Sequence, residues 1–195
     1  MSQCKITGDL MCKCKQKEGK VIVDFEAFRV ALRRIFTDHA VYTSKVIESS
    51  VPVLQFDSKD NIDRVLENPG HIRFLVEPFL GVAAGEKVEA LFTEHLKLAA
   101  ATLEPVRLGN KKATAAAVAK FMEQGVQVGM LIGSINSKKL NKEQAIQEFS
   151  THNEFVVKLA TLRSQRKSKE YNETYDFYFN HMMELSDSIA NALVC

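Results

Sequence analysis

The sequence predicts an all-α protein, an up-down bundle of about six helices, and three observations carry this prediction. Apolar residues recur at spacings of three and four from Phe25 onward, which is the spacing of one face of an α-helix. Proline and glycine are scarce, with 4 and 9 among 195 residues, whereas a β protein needs many turns. A hydrophobic content of 46% and a charged content of 26% are those of an ordinary globular domain with a sizeable core.

The chain divides into a leader and one domain. Residues 1–22 are expected to form a flexible basic leader, and residues 23–195 a helical bundle domain. Within the domain the apolar periodicity and its interruptions predict six helices, over about 25–48, 61–80, 85–104, 111–135, 142–163 and 169 to the C-terminus.

The second helix has a start signal and two internal prolines. Asp60 or Asn61 is expected to be its N-cap, because a short polar side chain there accepts a bond from a free backbone N–H. Pro69 and Pro78 fall inside the periodic segment. Proline removes a backbone donor and clashes with the preceding turn, so this helix is expected to be kinked or split.

Turn and cap residues delimit the later helices. The glycines of "GVAAG" precede the third helix, and Pro105 with the following "LGN" is expected to end it. The fourth helix is rich in alanine and then carries "GVQVG", which predicts close approach to a neighbouring helix. "NSKKLN" predicts a turn in which Asn141 caps the fifth helix.

Charge gives little evidence of a nucleic-acid binder. Lys and Arg number 26 and Asp and Glu 24, a net charge of +2. Two stretches are locally basic, "CKCKQKEGK" at 12–20 and "RSQRKSK" at 163–169. They are expected to be a solvated tail and a solvated turn. Contact with phosphate or an acidic partner is the alternative, with nucleic acid binding through the leader as its weakest form.

Three features of the sequence predict the cellular location of the protein. No run reaches the roughly 20 apolar residues that span a bilayer, so no membrane partner is expected. The N-terminus lacks the apolar segment of a secretory signal. The four cysteines lie near the chain ends, which gives no disulfide framework, and Cys12-Lys13-Cys14 departs from the usual zinc spacing. An intracellular, cytoplasmic location is expected.

A short phrase recurs along the chain, an aromatic residue three places before a histidine. It reads "FTDH", "FTEH", "FSTH" and "YFNH". The intervening registers hold "VLEN" and "FMEQ", so that the marked residues are spaced by 27 to 29 positions. This spacing predicts an internal repeat of about 28 residues that arose by duplication of a helix pair. The alternative is that the spacing only reflects helices of even length. The marked residues are His39, Asn68, His95, Gln124, His152 and His181.

These six marked residues are expected to form a polar layer inside the bundle. The residues three before and four after each are mostly apolar, as Phe92 and Ala99 are for His95. Positions at these spacings share one helix face, so the marked residue lies on the buried stripe. In a bundle of equal helices, mid-helix positions lie at similar heights.

Three hypotheses account for the polar layer. It could be a hydrogen-bonded network that only fixes helix packing, since buried polar groups must be paired. It could bind a transition metal such as zinc or iron, with His39, His95, His152 and His181 as ligands. It could orient a small ligand in an enclosed pocket, where Asn68 and Gln124 would be the polar contacts.

Catalysis ranks below these hypotheses. A site of three histidines with an open position would allow metal-dependent hydrolysis, but the sequence has no Glu-x-x-His pair and none of the common nucleotide-binding or hydrolase motifs. No catalytic residue is assigned, and an enzyme is less expected than a binding protein. The leading hypothesis is a metal- or small-ligand-binding bundle, and the alternative is a structural or interaction protein whose polar layer only fixes packing.

The chain from Phe36 to Leu193 resembles a family of short all-helical proteins of bacteria and large DNA viruses. The resemblance lies in "DHAVYTSKVI", "VLENPGHIRFLVEPFLG", "LFTEHLKLAA" and "LSDSIANAL". His39, Tyr42 and Thr43 match the motif that opens the family's domain, although Ser44 stands where the family has arginine. The resemblance implies no particular activity. If the protein is viral, it implies a virion location and a virion-associated role as a structural or interaction protein. It does imply that the polar layer is a feature shared by the family and that the basic leader of this chain is an addition to the family's domain.

Overall fold

The computed structural model describes residues 15–17, 20–22, 24–50 and 58–194. The four cysteines and most of the expected leader lie outside these residues. The elements are two short strands, β1 (Lys15–Lys17) and β2 (Lys20–Ile22), and seven helices, α1 (Phe25–Ser49), α2 (Ser58–Leu66), α3 (Asn68–Leu80), α4 (Val82–Arg107), α5 (Lys111–Ile135), α6 (Lys142–Ser164) and α7 (Ser168–Leu193).

The all-α bundle is confirmed, and the predicted helices correspond to the observed ones. The second predicted helix is split into α2 and α3 by a break at Glu67, and Pro69 lies in the first turn of α3. Proline is tolerated there because the first N–H groups of a helix have no partner within it. Pro78 lies inside α3 without ending it. The antiparallel hairpin of β1 and β2 was not predicted, since it falls in the segment expected to be flexible.

Three predicted helix boundaries are wrong. The third predicted helix begins at Val82 and not at about residue 85, so Gly85 lies inside α4 instead of preceding it. Neither Asp60 nor Asn61 is an N-cap, because α2 begins at Ser58 and contains both residues. Pro105 does not end the third predicted helix, because α4 continues to Arg107 and the chain turns at Gly109, whose φ is 64°. The lost proline donor is tolerated near the end of the helix, where bonds such as Asn110 N–H to the Pro105 carbonyl close the turn.

Asparagine and aspartate side chains cap three of the helices. Asp24, Asn110 and Asn141 each accept a bond from the backbone N–H three residues later, at the starts of α1, α5 and α6. The predicted cap at Asn141 is therefore confirmed, with Gln144 N–H as its donor at 2.7 Å.

Consecutive helices pack against one another, and α1 also packs against α7. Side-chain pairs fix the register of this contact: Arg33 Nε donates to Asp187 Oδ1 at 2.8 Å, and the Ser44 and Tyr171 hydroxyls lie 2.8 Å apart. Since the residue numbers run in opposite directions, the two helices are antiparallel. The core holds large side chains that are almost fully buried, among them Leu32, Phe121, Leu159, Tyr178 and Leu185.

Helices α5 and α6 approach each other at three glycines of α5, which are Gly125, Gly129 and Gly133. A β-carbon on Gly129 would lie 2.6 Å from the Ile146 α-carbon, and one on Gly133 would lie 2.7 Å from the Lys142 α-carbon. No side chain fits at such distances, so glycine is required for the two backbones to meet. The close approach predicted from "GVQVG" is confirmed. Within the described residues, no helix is long and apolar enough to cross a membrane.

Candidate functional site

The structure buries five of the six residues of the polar layer. Their exposed fractions lie between 1% and 6%, whereas His181 is only half-buried. The helical spacing explains this burial, since each residue replaces one apolar side chain on the inner face of its helix. The five are His39 on α1, Asn68 on α3, His95 on α4, Gln124 on α5 and His152 on α6.

His39 and Asn68 form the first hydrogen-bonded pair of the layer. The Asn68 Nδ2 group donates to the Ile35 carbonyl oxygen at 2.9 Å, so its Oδ1 atom faces the imidazole. The distance from His39 Nδ1 to Asn68 Oδ1 is 3.3 Å. Because an amide oxygen only accepts, Nδ1 carries the proton and Nε2 keeps its lone pair.

His95 and Gln124 repeat this arrangement between α4 and α5. The Gln124 Nε2 group donates to the Leu91 carbonyl oxygen at 2.7 Å, and His95 Nδ1 donates to Gln124 Oε1, also at 2.7 Å. In both pairs the amide lies 29 residues after the histidine and bonds the carbonyl 33 residues before itself. In each pair, the amide of one helix therefore bonds both the imidazole and a backbone carbonyl of the other helix.

The third pair, His152 and His181, keeps only half of the pattern. His181 Nε2 donates to the Glu148 carbonyl oxygen at 2.9 Å, again 33 residues before it. Its imidazole has no oxygen to offer to His152, and His152 Nδ1 has no hydrogen-bond partner among the described residues. A buried polar atom without a partner costs about 1–3 kcal/mol.

The imidazole of His152 lies beside the other two buried histidines. Its ring centroid is 5.6 Å from that of His39, 5.3 Å from that of His95 and 5.6 Å from that of Tyr178. The aromatic residues of the recurring phrase pack around these rings. The centroids of Phe92 and Phe149 are each 6.5 Å from the histidine three residues later, and 5.9 Å from each other. The cavity left between them measures about 10 Å³. That volume holds at most one water molecule, so no organic ligand fits in the layer itself.

Burial keeps the three histidines neutral. It lowers the pKa of His39 and of His95 from 6.5 to about 4, against the opposing effect of the hydrogen bond that each imidazole donates to its paired amide oxygen. Burial also lowers the pKa of His152 well below 6.5, and the two neighbouring imidazoles act in the same direction. At neutral pH the layer carries neutral imidazoles, the form that binds metals or packs in a core.

Metal ligation by His39, His95, His152 and His181 stays a prediction. Among the residues that the structure describes, no group of three or more His, Cys, Asp or Glu side chains is arranged to hold a metal ion. His181 makes its hydrogen bond through Nε2 to a backbone carbonyl. Asp38, the acidic residue directly before His39, pairs with Arg64 at 3.2 Å and so belongs to the surface of the bundle.

Asn153 is a buried polar residue that the sequence analysis missed. Its Nδ2 group donates to the Phe121 carbonyl oxygen at 2.8 Å, which ties α6 to α5 just beside the polar layer. A β-carbon on Gly125 would lie 2.3 Å from that nitrogen. The signal in the sequence was the glycine next to Gln124, because only glycine leaves space for an amide to reach the neighbouring backbone.

An apolar pocket of about 200 Å³ lies one helical turn from the polar layer, between α1, α2, α4 and α6. Thr43 and Val156 each follow a layer histidine by four residues, and Leu96 follows His95 directly. Among the described residues, Lys97 is the only charged one in its lining and Thr43 the only other polar one. The lining consists of Thr43, Val46, Ile47, Ile62, Val65, Leu66, Leu96, Lys97, Ala99, Ala100, Leu103 and Val156.

Comparison with known proteins adds no relative. No protein-family model matches the chain, and neither does any curated protein or solved structure. The resemblance to the bacterial and viral helical family therefore stays a prediction.

Proposed function

We propose that the protein binds a small amphipathic carboxylate in the apolar pocket between α1, α2, α4 and α6. The observation that carries this proposal is the pocket itself, which is apolar except for Thr43 and Lys97. Ligand sites are typically concave and apolar, with a few polar groups that orient the ligand. The proposal keeps the expected small-ligand function and moves its site one helical turn away from the polar layer.

The lining residues define the chemistry of the ligand. A volume of about 200 Å³ lies below the roughly 300–1,000 Å³ of sites for drug-sized molecules, which favours a medium-chain carboxylate such as octanoate. The alkyl chain would contact Val65, Leu103 and their neighbours, so that the apolar surfaces of the alkyl chain and of the pocket lining are removed from water. The Lys97 ammonium would pair with the carboxylate at the solvent side, and the Thr43 hydroxyl is a second polar contact.

In this proposal the polar layer holds the helices that form the pocket. The His39–Asn68 and His95–Gln124 pairs connect α1 to α3 and α4 to α5 with the same residue spacing. We infer that the bundle consists of three helix hairpins of one design, in which His152 and His181 belong to the third. The paired amides fix the register of the first two hairpins, as buried polar residues do in other bundles.

Titration with octanoate, followed by NMR of the full chain, tests this function. We expect saturable shifts for methyl groups of the pocket, such as those of Val65 and Leu103. Ala99→Phe, which fills the cavity, should abolish them. Lys97→Met should weaken octanoate binding but leave binding of octanol unchanged. Lys87→Met is the matched control, because Lys87 is exposed on the same helix and does not line the pocket.

The outcomes separate the possibilities. Loss of binding in Ala99→Phe with a native circular dichroism spectrum supports the pocket as the site. Equal weakening in Lys97→Met and Lys87→Met would mean a nonspecific charge effect, and absence of any shift in the unaltered protein contradicts the proposal.

One observation favours metal binding as a second function. Because His39 and His95 donate from Nδ1 to amide oxygens, each keeps an unprotonated Nε2, and histidine ligands commonly have their other nitrogen held in this way. Elemental analysis of protein purified without an affinity tag or chelator, beside His95→Ala, tests it. Near-stoichiometric zinc or iron that disappears in the variant supports a ligand shell, whereas metal-free protein removes this function and the enzyme hypothesis with it.

A further inference from the structure

Two turns of the bundle lie at the same end and at the same height. The bond from Asn153 Nδ2 to the Phe121 carbonyl places these residues side by side on α6 and α5, which are antiparallel. From Phe121 back to Lys111 is ten residues, and from Asn153 on to Ser164 is eleven. At about 1.5 Å per residue both segments run some 15–17 Å in one direction. The α4–α5 turn and the α6–α7 turn therefore project together.

These two turns carry a concentration of positive charge, the basic end of the bundle. No acidic residue occurs between Glu104 and Glu123, or between Glu154 and Glu170. Among the described residues, five of the cations at this end form no ion pair, and only Arg107 and Lys169 have an acidic neighbour within 4 Å. The seven cations are Arg107, Lys111, Lys112, Arg163, Arg166, Lys167 and Lys169.

An exposed leucine stands at the tip of the basic end. Leu108 is 61% exposed, between Arg107 and the left-handed Gly109, in the turn that projects beyond α4 and α5. An isolated exposed leucine is ordinary on a protein surface. Its position among cations at the tip of a turn is the combination found where proteins touch anionic membranes, since apolar side chains enter the interface and cations meet the headgroups.

We propose that the basic end docks peripherally on an anionic lipid bilayer, with Leu108 inserted at the interface and the exposed cations of both turns facing the headgroups. Arg163 is not one of these, because it is partly buried against the Tyr171 ring. Docking of this kind needs no spanning segment, so it is compatible with the absence of a membrane-spanning helix among the described residues. Nucleic acid is the weaker candidate partner. The exposed residues of the two turns include no aromatic side chain on which a base could stack. The proposal is independent of the apolar pocket.

Cosedimentation of the full chain with vesicles tests the proposal. Vesicles of phosphatidylcholine with about 30% phosphatidylserine are compared with pure phosphatidylcholine, at about 0.1 M and about 0.5 M NaCl. We expect binding only to the anionic vesicles and only at low salt. Lys111→Glu with Lys112→Glu should weaken binding by about tenfold or more, since each cation near an anionic surface contributes to affinity. Leu108→Ser should weaken binding to a smaller extent while the charge stays the same.

The matched control makes the same charge change at the opposite end. Lys138→Glu with Lys142→Glu alters two exposed lysines of the α5–α6 turn. This variant should bind the anionic vesicles as the unaltered protein does, and circular dichroism confirms that each variant is folded.

Three results would overturn the proposal. They are absence of cosedimentation with anionic vesicles, equal loss of binding in the two double variants, and unchanged binding in Leu108→Ser. Binding of a labelled single-stranded oligonucleotide without binding of vesicles, lost in the Lys111 and Lys112 variant, would assign the basic end to nucleic acid instead.

Discussion

His95 donates a hydrogen bond from Nδ1 to Gln124 Oε1 at 2.7 Å, and Gln124 Nε2 in turn donates a hydrogen bond to the Leu91 carbonyl oxygen. Replacing Gln124 by leucine leaves the buried imidazole N–H without an acceptor. We therefore expect Gln124→Leu to lower the free energy of unfolding by about 1–3 kcal/mol. Urea denaturation followed by circular dichroism measures the change.

Gln127→Leu is the matched control for this prediction. Gln127 lies one turn further on the same helix and is exposed, so its replacement should change stability by less than about 0.5 kcal/mol. Equal effects of the two substitutions would contradict a specific role for the His95–Gln124 bond.

Stability is expected to fall as the pH is lowered from about 6.5 to about 4. In this range the unfolded chain binds protons on His39 and His95, whereas the folded chain leaves them neutral, because their pKa values are lowered to about 4. Since the unfolded state binds more protons, stability rises with pH. A shift of this size corresponds to about 3 kcal/mol for each histidine, lost progressively below pH 6.5.

Urea midpoints at several values between about pH 7.5 and about pH 4.5 measure this dependence. The lower limit avoids the range in which Asp187 titrates, because the adjacent Arg33 guanidinium lowers the pKa of that carboxyl. His95→Gln removes one of the groups and should flatten the slope. A midpoint that stays constant down to pH 4.5 would show that these histidines are not buried as neutral groups.

The polar layer could be predicted from the sequence because a helix fixes which positions share a face. Burial of His39, His95 and His152 followed from apolar neighbours at spacings of three and four. The bonding partners could not be predicted, since the contact of Asn68 with the Ile35 carbonyl depends on the distance between α1 and α3. The pocket could not be predicted from the sequence either, because its lining comes from four helices and depends on how they are arranged around the core.

Replacing His181 by glutamine is expected to stabilise the protein. His152 Nδ1 lacks a partner among the described residues, whereas His95 Nδ1 has the Gln124 amide at the position 29 residues later. A glutamine at 181 could donate to the Glu148 carbonyl as His181 does and also accept from His152. We expect a gain of about 1 kcal/mol, measured by urea denaturation at pH above about 7.

A double-mutant cycle isolates the cause of that gain. In a His152→Phe background, His181→Gln should bring no stabilisation, because the imidazole donor is gone. A gain of the same size in both backgrounds, or a loss in the single variant, would count against the inference that the third hairpin shares the design of the other two.

The glycine contact between α5 and α6 predicts opposite effects of one substitution at two sites. Gly→Ala in a helix gains about 1 kcal/mol from intrinsic propensity. At Gly129 the new β-carbon would lie 2.6 Å from the Ile146 α-carbon, and such overpacking costs about 1–3 kcal/mol, so Gly129→Ala should be destabilising. At Gly70 the nearest atom would be a Glu89 carboxylate oxygen at 3.6 Å, so Gly70→Ala should be neutral or stabilising. Thermal unfolding of the two variants tests the contrast, and destabilisation by both would mean that the α5–α6 contact is not special.

Two tyrosines of α7 predict opposite effects of losing a hydroxyl. The Tyr171 hydroxyl lies 2.8 Å from Ser44 Oγ and joins α7 to α1. The fully buried Tyr178 hydroxyl has the Thr43 side chain as a neighbour but makes no well-formed hydrogen bond among the described residues. Tyr171→Phe should therefore cost about 1 kcal/mol, and Tyr178→Phe should be neutral or stabilising by a similar amount, because an unpaired buried hydroxyl is removed. Urea denaturation of both variants at neutral pH distinguishes the two. A destabilising Tyr178→Phe would instead reveal that this hydroxyl forms a hydrogen bond beside His152, which would make it part of the polar layer.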